Sequence, residues 1–181
     1  MLIAAEKRKE NIAEYILYMW QVEDSVRACR FNIDLIDKYI ISQYPEPEKV
    51  KAKFRDWYAD IILMMYEENI KEIGHMKILK VIVAEMNDLH LKLINEKKDP
   101  KYIEQYNLAI PNLRDFKKKL GSDVGNEIEI CLSALYALLL LRLQKKEISP
   151  ETYEAMHTFS SLLALLSFWF KKIELGEVEL L

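Results

Sequence analysis

The amino-acid sequence predicts an all-α fold: one domain, a bundle of six or seven helices around a central apolar helix. Three observations carry that reading. The stretch Ile128 to Leu143, I-E-I-C-L-S-A-L-Y-A-L-L-L-L-R-L, is the most apolar continuous run in the chain, and as a helix it puts Ile or Leu on every side. A helix apolar all round must be enclosed by other helices or by lipid. Its uncharged part, Ile130 to Leu141, is too short for a bilayer, which needs roughly 20 residues. Elsewhere apolar residues recur at three- and four-residue steps, the helical period, and strand-like alternation is missing. Four Gly and five Pro in 181 residues leave room for few turns, so long helices with short connections follow.

In chain order, the first helix is expected from about Ala4 to Cys29, with the stripe Ile12, Ile16, Met19, Val22, Val26 and Cys29. Glu23 lies beside that stripe, and Arg27 follows it by four, the favourable order on a helix. Asn32 caps a short second helix, Ile33 to about Gln43, which the Pro45-Glu46-Pro47 break ends. A third helix begins near Pro47 and carries Val50, Phe54, Trp57, Ile61 and Met64. It stops around Glu68 to Lys71, with Asn69 as a left-handed C-terminal residue. A fourth then runs to about Glu96 with His75, Leu79, Ile82, Met86, Leu89 and Leu93 on one face.

Asp99-Pro100 reads as an N-cap followed by proline at the first helical position. The fifth helix carries Ile103, Tyr106, Ile110, Leu113 and Leu120, and Gly121 ends it. Pro111 in its interior predicts a kink or a break into two short helices. The central helix spans about 124–146, opening near Asp123, with Glu127 and Glu129 near its start. Ser149-Pro150-Glu151 caps the last helix, about 150–173, whose stripe is Met156, Phe159, Leu163, Leu166, Phe170 and Ile173. The few residues between Lys146 and Ser149 force these two into an antiparallel hairpin. The single domain covers 1–176, and 177–181 form a loose tail.

Net charge is −3 and the sequence pI about 5.7, so no global attraction to nucleic acid or to an anionic membrane is expected. Lys117-Lys118-Lys119 and Lys145-Lys146 fall where helices end, and cations there complement the negative end of the helix dipole. Cys29 and Cys131 stand far from any C-x-x-C spacing and read as buried free thiols in a reducing compartment. The N-terminus has no apolar run before a small-residue cleavage site. A cytoplasmic location is the expectation.

Two motifs could carry chemistry. Glu72-Ile73-Gly74-His75 and Glu154-Ala155-Met156-His157 are both Glu-x-x-His, the pattern that supplies carboxylate di-metal sites in ferritin-like bundles. Glu23 or Glu14 and Glu127 or Glu129 would complete such a site. Against it, Gly74 and the break near Asn69 place the first motif at a helix start, whereas a bundle-core site needs rigid mid-helix ligands. The other reading is a buried polar network or pocket drawn from Glu23, Arg27, Arg55, His75 and Glu129, which could fix helix packing or line a small-ligand site. His90 has no carboxylate at a helical neighbour position and reads as a satisfied or surface histidine. G-x-S-x-G, H-E-x-x-H and glycine-rich phosphate loops are all missing, so no catalytic residue and no cofactor is assigned.

Several phrases carry a resemblance: residues 1–24, M-L-I-A-A-E-K-R-K-E-N-I-A-E-Y-I-L-Y-M-W-Q-V-E-D; R-D-W-Y at 55–58; K-E-I-G-H at 71–75; D-L-H-L-K-L at 88–93; and L-Q-K-K-E-I-S-P-E-T at 143–152. In these, nearly the whole chain resembles an uncharacterised family of Bacteroidetes-type bacteria, a domain of unknown function. The resemblance implies a small intracellular bacterial protein and transfers no activity. The residues themselves point to a non-enzymatic helical protein that associates with other protein, itself included. Phe168-Trp169-Phe170 is apolar surface beyond what one inner stripe needs, and surplus of that kind marks an interface.

Overall fold

A computed structural model describes residues 2–97, 99–120 and 125–178. Among these there are eight α-helices, one short 3-10 helix and no strand. They are α1 (Leu2–Glu10), α2 (Ile12–Ala28), α3 (Ile33–Tyr39), the 3-10 turn Ile41–Gln43, α4 (Glu48–Glu67), α5 (Lys77–Glu96), α6 (Pro100–Leu120), α7 (Glu127–Leu143) and α8 (Pro150–Glu174). None of them is long and apolar enough to cross a membrane. Packing resolves two compact units. One comprises Met1–Arg8 with Glu14–Val81, the other Lys9–Ala13 with Ile82–Leu181.

Several boundaries follow the local chemistry that predicts them. Asn32 Oδ1 accepts from the Asp34 and Leu35 amides at 2.9 and 3.2 Å and starts α3. Asp99 Oδ1 accepts from Lys101 N and Tyr102 N at 2.9 and 3.3 Å ahead of Pro100, and Ser149 Oγ accepts from Thr152 N at 3.3 Å. Asn69 takes φ 57°, and the Ile70 amide reaches back to the Met65 carbonyl at 3.1 Å, a left-handed stop that closes α4. α6 runs through Pro111 unbroken. The missing amide orphans only the Asn107 carbonyl, on an exposed residue that water can satisfy.

Three expectations differ. The long first helix is interrupted at Asn11, whose side chain accepts from Ala13 N at 3.0 Å and so offers the backbone an alternative to the helical bond. The fourth helix begins at Lys77 instead of just after Asn69, because Gly74 takes φ 99°, a conformation outside the helical region. The count among the described residues is eight α-helices, where six or seven are expected. Gly121, Asp123 and residues 179–181 lie outside the described residues. Of the tail, Glu177 N still donates to the Lys172 carbonyl at 2.9 Å.

In the second unit α7 and α8 pack together, joined by residues 144–149, and α6 packs against both. Ile128, Ile130, Cys131, Leu132, Ala134 and Leu138 of α7 are buried. Enclosure on every side does not hold, even within that span, where Glu129 is exposed. Leu141 is 39% and Leu143 66% exposed, while Ser133 and Ala137 also face water. Exposed apolar side chains are spread over several helices, among them Leu63, Ile78, Val81 and Leu108 as well as Leu141 and Leu143, and Phe168-Trp169-Phe170 supplies one of them. Phe170 is buried, Trp169 Nε1 donates to Asp99 Oδ2 at 2.7 Å, and only Phe168 stays outside, beneath Lys172.

Candidate functional site

The first unit brings together Glu23, Arg27 and His75. Glu23 and Arg27 are one turn apart on α2, so both aim at the same stretch of chain, the α4–α5 connection. Glu23 is 0% exposed. One carboxylate oxygen meets His75 Nδ1 at 2.6 Å and the other accepts from Met76 N at 2.7 Å. A carboxylate accepts and does not donate, which assigns the proton to Nδ1. The His75 ring stacks on Trp20, centroids 4.2 Å apart and 14° from parallel. Arg27 donates to the Gly74 carbonyl, to the Ile70 carbonyl at 3.2 Å and to Asp24 at 2.9 Å. Glu68 accepts from Lys77 N at 2.6 Å. Two carboxylates thus take up the leading amides of α5, where the helix dipole favours negative charge.

Arg55 and Glu129 do not join that network. Arg55 pairs with Asp34 at 2.6 Å and Asp37 at 3.4 Å, fastening α4 to α3 at the surface. Glu129 is exposed at the third position of α7, its amide bonded to Asn126 Oδ1 at 2.9 Å and its carboxylate folded back over Gly125. That is capping geometry. The paired Glu-x-x-His reading is corrected for the first motif: Glu72 is exposed on a non-helical segment, so the i, i+3 alignment the pattern needs is missing. Glu154 and His157 are both exposed on α8. Among the described residues no group of three or more His, Cys, Asp or Glu is placed to hold a metal ion.

A second network lies in the other unit and escapes sequence reasoning. His90 of α5 is 0% exposed. Its Nδ1 sits 2.6 Å from Tyr102 Oη of α6, and its Nε2 3.2 Å from Glu127 Oε2 of α7. Tyr106, one turn beyond Tyr102, meets the His90 ring edge-on at 5.0 Å and hydrogen-bonds Glu127. The hydrogen bond from His90 holds the Glu127 carboxyl below its ordinary range, against partial burial, with Tyr106 and Lys117 adding to the effect. Burial, then the bond to Glu127, pushes the Tyr106 phenol up to about 12. Tyr102 is pushed up further, chiefly by burial. The proton order follows: Tyr102 donates to Nδ1, and Nε2–H and Tyr106 donate to Glu127. Its members come from three helices, so no local spacing flags it. The one available signal is the Tyr102/Tyr106 pair at i, i+4.

Beside this network a cleft of about 190 Å³ is lined by Tyr106, Glu127, Arg114 and Lys117 around Ile110, Leu113 and Ile130. What fold and sites define is an all-helical protein with a histidine–carboxylate pair, one partner of it buried, in each of its two units. The sequence profile of a family described as a domain of unknown function (DUF4924) matches residues 1–177, and the chain belongs to that family. Neither a curated protein nor a solved structure matches it.

Proposed function

We propose that this chain is a non-enzymatic helical protein of the bacterial cytoplasm that works by association, with a second copy of itself as the partner for α7. The observation that carries this is the outward face of α7. From Ile130 to Leu141 it bears no charge, and Ser133, Ala137 and Leu141 succeed one another at four-residue steps, all exposed. An uncharged helical face of that length belongs against another apolar surface.

Charge complementarity selects the occupant. α7 is acidic at its start, with Glu127 and Glu129, and basic at its end, with Arg142 followed by Lys145 and Lys146. Two copies crossing antiparallel about a two-fold axis at Ala137 set Leu141 of each over Ser133 of the other, large on small. The same crossing brings Glu129 toward the basic segment that follows the partner's α7, where Lys145 lies. A two-fold pairing covers the same patch on both copies at once and closes the assembly.

Sedimentation equilibrium of the full chain should report a concentration-dependent dimer. Ala137→Glu places two carboxylates at the axis and should yield a monomer of unchanged helicity. Glu129→Lys and Lys145→Glu should each associate more weakly alone, and an equimolar mixture of the two should recover the dimer. A chain that stays monomeric at the highest soluble concentration, or an Ala137→Glu variant that dimerises like the parent, overturns the reading.

A further inference from the structure

We propose that the cleft between α6 and the first turn of α7 binds a small zwitterion of the α-amino-acid class, its amine on Glu127 and its carboxylate on Arg114 and Lys117. The cleft holds about 190 Å³, below the range of about 300–1,000 Å³ that suits drug-sized molecules. It therefore suits a compact ligand. Its lining is of three kinds. Glu127 offers a carboxylate, Arg114 and Lys117 offer two cations one turn apart on α6, and Tyr106, Ile110, Leu113 and Ile130 supply uncharged wall.

Glu127 is set in place before any ligand arrives. Its side chain is 43% exposed on one side, while His90, itself 0% exposed, backs it at 3.2 Å and Tyr106 hydrogen-bonds it. Tyr102 in turn fixes the His90 ring from Nδ1 at 2.6 Å. A carboxylate held from behind by His90 keeps free acceptor capacity toward the cleft, and little rotamer entropy is lost when a donor meets it. This gives the buried histidine a use: it positions Glu127 without touching ligand.

The mixed lining also sets the selectivity. A simple anion of the same size meets Glu127, and a simple amine meets Arg114 and Lys117, so each single-charge molecule confronts at least one repulsive group. A molecule with both charges a few bonds apart confronts none, and its aliphatic body lies on Ile110 and Ile130. Hydrogen bonds to charged groups have the strength to separate these ligands by about tenfold.

The test titrates L-leucine, isocaproate (the same body without the amine) and isopentylamine (without the carboxylate) into the isotope-labelled full chain, read by amide NMR shifts. Leucine should give saturable shifts around Arg114, Lys117 and the start of α7, with each analogue about tenfold weaker or worse. Glu127→Gln should erase the preference for leucine over isocaproate. Arg114→Ala, on an exposed residue outside the His90 network, should weaken leucine and isocaproate alike while the fold persists. No saturable response to leucine overturns the proposal. So does equal binding of isocaproate, or leucine binding that survives both Arg114→Ala and Lys117→Ala unchanged.

Discussion

Glu23 carries a carboxylate with no exposed surface, and both of its oxygens are taken up, by His75 and by the Met76 amide. Deleting one partner of a buried pair leaves the other desolvated and unpaired, which costs more than the net strength of the bond itself. Glu23→Ala should therefore destabilise the protein by about 3 kcal/mol or more in urea unfolding. Glu23→Gln, which keeps the shape and one acceptor, should cost about 1–2 kcal/mol. Glu127 differs because it is half-exposed and its carboxyl is held below the ordinary value of 4.5 by the His90 hydrogen bond. A depressed carboxyl stabilises the fold above its unfolded value, and the contribution is lost as pH falls through the folded one. Set against Glu127→Gln, the parent should be more stable at neutral pH. That advantage should shrink below pH 4.5, and solvent screening keeps it modest throughout.

At the scale of elements, α7 is two segments in one helix. One face of its first half is closed in, with Ile128 and Leu132 at 0% exposure, while Ser133 on the other face meets water and the last turn ends on Leu143 at 66%. The same loss of aliphatic carbon should then have opposite consequences at its two ends. Ile128→Ala opens a cavity and should cost about 2–5 kcal/mol. Leu143→Ala removes surface already in water and should shift stability by less than about 0.5 kcal/mol in the monomer. Equal costs in urea unfolding would mean that the last turn of α7 is covered in the monomer. The α4–α5 connection makes a related point about capping: α5 begins where carboxylates from Glu23 and Glu68 meet its first amides, and neither residue belongs to α5.

At the scale of the whole molecule, the sequence by itself determined the all-helical class, six caps or stops (Asn32, Asn69, Asp99, Pro100, Ser149, Pro150), and the placing of Glu23 and Arg27 one turn apart on one helix. These are local matters. A cap needs only an oxygen two or three residues from an amide, and helical period places i and i+4 on one side. The tertiary structure alone decided that Arg55 turns to Asp34 and Asp37, that His75 stands in a loop on Trp20, and that His90, Tyr102, Tyr106 and Glu127 meet. Those last four come from three helices. Their meeting depends on how each helix is rotated about its axis, which is settled by packing summed over many weak apolar contacts. No spacing within a single helix encodes that rotation, so the second network and the cleft beside it became visible only once the helices were in place.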